Sequence, residues 1–302
     1  MAKYYIILHL IVFIWGFTGI LGDAIELPAE KITFFRTAMA FLFALLMGVF
    51  YKKRKRVSQG QRVQLFLTGI IVGLHWFFFF LAIKLSNVSI GVICMSSSTL
   101  FTSILEPILF KRKFSTAELI LSVCIILGIT IIFGFETGYA LGILCGLLSA
   151  FLAALFTVKN GIFMKQKINP LEITTYEMLG GALIMLIFVF VSGNVNADFF
   201  VMSMPDFLNL LLLSSVCTSV AFMVIVWVMK KLSPFTVSIS INMEPIYTIL
   251  IVVLYGIFKG VDSEIMSVGF YAGSLIIIGS IFTNAIIKRR SRLKLKKYST
   301  NQ

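Results

Sequence analysis

Long apolar runs, separated by short polar intervals, make up almost the whole chain. A run needs about 20 residues to cross a bilayer as a helix, and ten runs are of about that length. They cover residues 4–22, 29–50, 63–84, 88–110, 116–134, 138–160, 170–192, 206–229, 234–257 and 265–287. The pattern predicts an all-α polytopic membrane protein with ten transmembrane helices.

The intervals between these runs differ in length, and two of them are very short. The third and fourth runs meet at Ser86-Asn87, and the eighth and ninth meet at Leu232-Ser233. Both intervals predict tight antiparallel helix hairpins. Glycines also recur at a spacing of four, which is typical of close helix packing, either inside the bundle or in a homodimer. These pairs are Gly69/Gly73, Gly142/Gly146 and Gly269/Gly273.

Composition agrees with a lipid environment. The chain is 59% hydrophobic and 13% charged, whereas soluble domains are about 45–50% apolar and about 25% charged. A net charge of +13 is also found in nucleic-acid-binding proteins. Here the basic residues lie in short loops beside apolar runs, so anionic lipid headgroups are the expected partner and nucleic acid is not. The first run contains Trp15 and lacks a clean small-residue cleavage site, so we expect an uncleaved helix.

Lysine and arginine alternate between loops. With the amino terminus in the cytoplasm, 22 of the 26 fall on the inner side. Lys31, Lys84 and Lys259 fall outside, and Arg36 lies within a run. The positive-inside rule therefore predicts a multi-pass membrane protein with both termini cytoplasmic.

Ten runs divide into two sets of five, which predicts units at 1–135 and 136–287 and a basic cytoplasmic tail at 288–302. Because five is odd, the second unit would cross the membrane in the opposite orientation. A faint repeat supports this division, since Ile32-Thr33-Phe34-Phe35-Arg36 aligns with Ile173-Thr174-Thr175-Tyr176-Glu177. Inverted repeats are typical of secondary transporters with a binding site near the bilayer midplane.

Ionisable residues inside a membrane are costly and are therefore candidates for function. Glu244, Arg36 and Glu177 meet this criterion as substrate-binding or coupling residues, and Pro245 after Glu244 predicts a kink. The alternatives are an internal ion pair or a long side chain that reaches the interface. Glu106 lies near the cytoplasmic end of its run, where pairing with Lys111 or Arg112 is the simpler explanation.

Other polar and aromatic residues are candidates for lining the same site. His75 could relay protons, although a hydrogen-bonded histidine of the bundle is the alternative. Trp15, Trp76 and Tyr176 could form an apolar wall or could pack in the core. Ser97 and Asn242 come from corresponding runs rich in small polar residues, which suits either a polar lining or helix packing.

No cofactor or metal is expected. Cys94, Cys124, Cys145 and Cys217 are scattered through apolar runs, and His9 and His75 give no ligand spacing. Nothing in the chain resembles a phosphate-binding loop. An ion gradient or the gradient of the substrate itself is therefore the expected energy source.

Several of these residues together resemble a known family. They are Trp15-Gly16, Arg36, the hinge Ala82-Ile83-Lys84-Leu85-Ser86, the small-residue fourth run, and Glu244-Pro245. The chain is similar to the EamA-type bacterial branch of the drug/metabolite transporter superfamily. The resemblance implies ten helices in two inverted halves around a central cavity, and export or exchange of small metabolites across the bacterial plasma (inner) membrane.

The leading hypothesis is a secondary transporter, not an enzyme, that moves small metabolites, amino acids among them, by alternating access. Export is the expected direction, and hinges are expected near Ser86 and Pro234. One alternative is an integral membrane enzyme acting on a lipid-linked substrate, which should gather acidic or histidine clusters at one interface. Another is a scaffold or chaperone subunit without transport activity.

Overall fold

The computed structural model describes residues 2–50, 57–135, 137–192 and 197–244 continuously. Beyond these it describes 247–248, 251, 267–269, 271–276, 278–280, 282–283 and 286–287. All the regular secondary structure in these residues is helical. The main helices are α1 (Ala2–Ala24), α2 (Ala29–Phe50), α3 (Gln59–Leu85), α4 (Val88–Leu109), α5 (Thr116–Phe135), α6 (Ala140–Lys165), α7 (Pro170–Val191), α8 (Met204–Val228) and α9 (Pro234–Ile241).

Seven of these helices, α1 to α4 and α6 to α8, are long and apolar enough to cross a membrane. Helix α5 is 20 residues long. Much of the predicted ninth and tenth runs lies outside the described residues, although helical residues recur at 271–276 and 278–280. The all-helical membrane fold is confirmed, and the count of ten transmembrane helices stays a prediction.

Helix ends depart most from the predicted bounds at α3 and α6. Helix α3 begins four residues earlier than expected because Ser58 and Gln61 form a reciprocal capping box. Helix α6 continues to Lys165 rather than ending at residue 160. Lys165, which lies beyond the predicted end of this run, is therefore in the last turn of the helix. A lysine ammonium can remain near the helix end, and that of Lys165 lies 3.8 Å from the centre of the Phe110 ring.

The helix junctions predicted at Ser86-Asn87 and Leu232-Ser233 are both present, and at the first of them α3 packs against α4. Helix α3 ends at Leu85, and the Asn87 side chain accepts a hydrogen bond from the Ile90 amide at the start of α4. At the second hairpin the Ser233 hydroxyl accepts a hydrogen bond from the Thr236 amide at the start of α9. Each cap satisfies an amide that the first helical turn leaves without a partner.

Three spanning helices are interrupted in their interiors. Helix α1 has a turn at Phe17, α4 has a turn at Ser96 and Ser97, and α8 contains a π-helical turn over Ser215–Val220. At membrane depth, irregular backbone is tolerated where it is buried in protein or lines a cavity. The interruptions therefore indicate where a site is to be sought.

Glycines bring α3 and α7 into close contact. A Cβ atom added to Gly69 would collide with the Glu177 carbonyl oxygen and lie 2.7 Å from the Glu177 Cα. One added to Gly73 would lie 2.7 Å from the Gly181 Cα. The predicted glycine face of α3 thus packs inside the bundle.

The second glycine pair packs internally as well. A Cβ atom added to Gly142 or Gly146 would approach the Cβ of Ser86 or Cys94 to 2.8 or 2.7 Å, respectively. These glycines therefore hold α6 against the α3–α4 hairpin.

Helices from the first and second predicted halves interleave. Helix α3 packs against α6 and α7, and α8 packs against α1 and α2. Helix α4 contacts α6 and α9, and α1 contacts α9. Most of the apolar core lies at these contacts, with Phe80, Phe222 and Phe235 among its largest fully buried side chains.

Candidate substrate cavity

A cavity of about 70 Å³ lies between the helices of the two predicted halves. Side chains from α1, α2, α3, α4, α6, α8 and α9 line it, together with Glu244 just beyond α9. Among the described residues that line it, Arg36 is cationic and Glu244 is anionic, and the others include aromatic and small polar residues.

Arg36 is fixed in the cavity wall by two kinds of contact. Its side chain is only 3% exposed, and its Nε donates a hydrogen bond of 2.7 Å to the Thr218 hydroxyl. The guanidinium carbon lies 4.2 Å from the centre of the Trp76 ring and 5.4 Å from that of Phe80. Stacking on aromatic faces suits the planar guanidinium group. Thr218 belongs to the π-helical turn of α8, so this irregular turn positions the arginine.

Glu244 supplies the opposite charge. It is 8% exposed and lies within electrostatic range of Arg36 and hydrogen-bonding range of the Thr18 hydroxyl. Thr18 directly follows the turn that interrupts α1. The kink predicted at Pro245 lies outside the described residues.

Aromatic side chains form much of the remaining wall. Trp15 donates a hydrogen bond of 2.9 Å from its indole Nε1 to the Cys217 carbonyl oxygen, again in the π-helical turn. The Trp76 and Phe222 rings meet edge to face with centroids 6.0 Å apart, and Phe156 lies 5.9 Å from Phe222. The structure thus places Trp15 and Trp76 at the cavity.

His75 also lines the cavity, and its ring is tied to α6. Its Nδ1 lies 3.0 Å from the Ser149 carbonyl oxygen and 2.9 Å from the Ser149 hydroxyl. That hydroxyl also donates to the His75 carbonyl oxygen at 2.8 Å. A proton on Nδ1 satisfies this arrangement and fixes the orientation of the ring.

Glu177 and Tyr176 do not line the cavity. Glu177 is fully buried behind Asn160, whose side-chain nitrogen donates a 3.2 Å hydrogen bond to Glu177 Oε2. Tyr176 packs against the main apolar core. Of the residues that the repeat pairs, the structure therefore brings Arg36 to the cavity and leaves Glu177 one layer behind it.

Ser97 and Asn242 also lie outside the lining. The Ser97 hydroxyl donates to the Cys94 carbonyl oxygen at 2.6 Å, and the Asn242 side-chain nitrogen donates to the Thr99 hydroxyl. Both residues are buried, and Asn242 joins the end of α9 to α4. The neighbouring residues Ser98 and Ser238 line the cavity in their place.

Glu106 takes the structural role that was the simpler explanation. Its Oε1 lies 3.3 Å from the Arg112 guanidinium, and its Oε2 accepts a 3.0 Å hydrogen bond from the Phe235 amide. The predicted pairing with Arg112 is confirmed.

Sequence reasoning missed several lining residues, of which Thr18, Thr157 and Asn160 are polar. Thr157 and Asn160 are three residues apart and share a face of α6. These two polar residues on one face of an otherwise apolar run were a signal that the sequence analysis did not use. Phe156 and Phe222 gave no signal, because apolar residues surround both in the sequence.

No group of three or more histidine, cysteine, aspartate or glutamate residues in the described part of the chain is arranged to hold a metal ion. The described side chains that line the cavity supply a guanidinium, a carboxyl group, an imidazole, hydroxyls and aromatic rings.

Interleaved apolar helices around a buried charged cavity define a polytopic helical membrane protein. The sequence model of the EamA-like transporter family matches residues 2–134 and, a second time, residues 140–286. The chain therefore belongs to the EamA-like transporter family, within the drug/metabolite transporter superfamily. Members of this family are membrane transporters of small molecules rather than enzymes.

Solved structures share the fold. Chains that match number 29, and one of them, a protein crystal structure, superimposes with a TM-score of 0.69. It is 14% identical in sequence, and the match covers 96% of this chain and 99% of the other. None of the curated proteins matches the chain.

Proposed function

We propose that this protein is a secondary transporter of small zwitterionic solutes, with amino acids as the leading class. The observation that carries the proposal is the presence of Arg36 and Glu244 in one buried cavity with aromatic walls. A guanidinium binds a carboxylate through two parallel hydrogen bonds. A glutamate carboxylate binds an ammonium group, and the aromatic wall accommodates an apolar side chain. The charges of an amino acid match this pair of residues.

The size of the cavity supports alternating access. Its volume of about 70 Å³ is far below the roughly 300–1,000 Å³ of pockets that enclose drug-sized ligands. Most metabolites would enter only after the surrounding helices move apart. In this proposal the small cavity belongs to one conformation of the transport cycle, and other conformations widen it.

The pattern of helix contacts supports two related halves, 1–135 and 136–287. If the halves are related, α1 corresponds to α6, α2 to α7, α3 to α8 and α4 to α9. The contact between α3 and α6 then has a counterpart between α8 and α1, and both contacts are present. Likewise, the contact between α3 and α7 has its counterpart between α8 and α2, and that between α4 and α6 has its counterpart between α9 and α1. A two-fold relation between the halves predicts these paired contacts. In our proposal these halves rock about the hairpins near Ser86 and Pro234, with both termini cytoplasmic in the bacterial inner membrane.

The proposal also includes a direction of transport and an energy source. The chain would export its solute, driven by an ion gradient or by the gradient of the solute itself. Efflux from proteoliposomes loaded with a mixture of proteinogenic amino acids, followed by mass spectrometry, tests both the solute class and the two charged residues.

The wild-type protein should release a subset of the mixture. Arg36→Ala and Glu244→Gln should each slow that release by about 10-fold or more, since a charged hydrogen bond contributes roughly 1.5–3 kcal/mol. Lys31→Gln is the control, because Lys31 contacts the Val201 carbonyl oxygen and the Phe199 ring, not the cavity. Wild-type rates in both cavity variants would show that Arg36 and Glu244 do not bind the solute.

A further inference from the structure

Two buried oxygen atoms beside the cavity lack partners in a way that points to a bound proton. Asn160 Nδ2 donates to Glu177 Oε2 at 3.2 Å. The other carboxyl oxygen, Glu177 Oε1, and the amide oxygen, Asn160 Oδ1, are both buried, and neither has a hydrogen-bond partner in the described part of the chain. Both are acceptors when the carboxyl group is ionised.

One proton on Glu177 Oε1 accounts for both atoms. A protonated carboxyl group and a carboxamide form a cyclic pair, in which the amide N–H donates to one carboxyl oxygen and the carboxyl O–H donates to the amide oxygen. The first of these two hydrogen bonds is present. We propose that Glu177 and Asn160 form a proton-binding site, which is occupied in this conformation.

The surroundings of Glu177 favour a neutral carboxyl group. The side chain is fully buried, and an ionised carboxylate needs several hydrogen bonds or a close cation to be buried without a large cost. The half-buried Lys159 on α6 is a basic group that acts on it electrostatically. The elements packed against α7 carry other charged or titratable groups: Glu30, Lys31 and Arg36 on α2; Arg62, His75 and Lys84 on α3; Cys145 and Lys165 on α6; Asp206 and Cys217 on α8.

The location of the pair gives the proton a route. Asn160 lines the cavity, whereas Glu177 lies behind it. Water that enters an opened cavity can reach Asn160 and exchange the proton with Glu177 Oε1, without any other chemical change. When the cavity closes, the carboxyl group is again shielded from water and retains its proton.

Close packing fixes the backbone on which the carboxyl group sits. Gly69 contacts the Glu177 backbone directly, and Gly180 of α7 lies against Gly69 of α3. The backbone of Glu177 therefore cannot move toward the cavity without a shift of α7 against α3, which belong to different predicted halves. Proton release and the rocking of the halves would thus be linked. This consequence rests on the proposed transport, whereas the proton-binding site does not.

The proton is tested directly by infrared spectroscopy of the purified, lipid-reconstituted full chain. A neutral buried carboxyl group gives a carbonyl stretching band that shifts on exchange into heavy water. The wild-type spectrum at neutral pH should contain such a band, and Glu177→Gln should remove it. Glutamine can make both hydrogen bonds with Asn160, so the thermal unfolding midpoint of this variant should remain near that of the wild type. Glu172→Gln, the same change in the first turn of α7, should keep the band.

Two results would overturn the proposal. One is a band that Glu177→Gln leaves unchanged. The other is a wild-type spectrum without the band, together with an unfolding midpoint raised by sodium chloride but not by choline chloride, which would assign the two oxygens to a sodium ion. In amino-acid efflux assays the wild-type rate should vary with pH, whereas Glu177→Gln should be several-fold less sensitive. If the wild type released none of the amino acids, the proposed function would be contradicted, whereas the infrared result would remain valid.

Discussion

At the scale of single residues, Glu106 shows how a buried charge can serve structure alone. Pro234 begins α9 and has no amide hydrogen, so Phe235 is among the first residues of this helix with an N–H to satisfy. Glu106 accepts that hydrogen bond and also pairs with the half-exposed Arg112. A negative charge at a helix amino terminus is favourable. The carboxylate thereby joins the end of α4 to the start of α9.

Replacing Glu106 by leucine should therefore destabilise the fold more than it affects the cavity. We expect a loss of about 1.5–3 kcal/mol in the free energy of unfolding, because a charged acceptor for a buried amide is removed. Arg112→Gln should cost about 1 kcal/mol or less, since a partly exposed ion pair contributes little. Denaturant titration in detergent micelles measures both changes. Equal losses for the two variants would show that the ion pair, rather than the Phe235 amide, is the important contact.

The sequence singled out the buried charges but not their partners. Arg36, Glu177 and Glu244 were conspicuous because they interrupt apolar runs. Which of them share a cavity depends on how α1, α2, α6, α7 and α9 pack, and no sequence spacing encodes that packing. Arg36 and Glu177 align in the repeat, yet Arg36 reaches the cavity and Glu177 lies behind Asn160.

At the scale of helices, the crossing of α3 and α7 depends on the absence of side chains. The positions where Gly69 and Gly73 of α3 would carry a Cβ atom are occupied by backbone atoms of Glu177 and Gly181 in α7. Such close approach lets dispersion forces act over a long contact between helices that gain no hydrophobic stabilisation from lipid.

Gly69→Ala should disrupt this crossing, because the new methyl group would collide with backbone atoms that cannot rotate away. Overpacking of this kind costs about 1–3 kcal/mol or more, so we expect a clearly lowered unfolding midpoint and reduced yield of folded protein. Gly60→Ala is the matched control at the start of the same helix, where a Cβ atom would meet nothing within 4 Å. There alanine should be neutral or stabilising. An unchanged midpoint for Gly69→Ala would mean that α3 and α7 are less closely packed than described.

Helix positions were largely predictable from the sequence, because the length of an apolar run reports the thickness of the bilayer. The hairpins at Asn87 and Ser233 were equally clear. The interruptions in α1, α4 and α8 were not predicted. They depend on neighbouring side chains that satisfy the displaced backbone, as Trp15 does for the Cys217 carbonyl oxygen.

At the scale of the whole molecule, the distribution of lysine and arginine predicts an orientation that labelling can test. Lys113 lies in a predicted cytoplasmic loop and Val201 in a predicted outer loop, and both are exposed. A membrane-impermeant maleimide should label Val201→Cys on intact cells with an accessible outer face. Lys113→Cys should react only after the membrane is permeabilised. The parent protein controls for its four cysteines, all within helices. The reverse labelling pattern would invert the proposed topology.

The sequence by itself determined the membrane environment, most helix positions, the predicted orientation and the presence of a few costly buried charges. These properties are local or additive, since they depend on the length of apolar runs and the number of charges in each loop. Only the tertiary structure decided that Arg36 and Glu244 share a cavity, that Glu106 caps a helix, and that Asn160 and Glu177 form a pair. These contacts join residues distant in sequence, or depend on which face of a helix meets its neighbour. Close packing of the bundle fixes both.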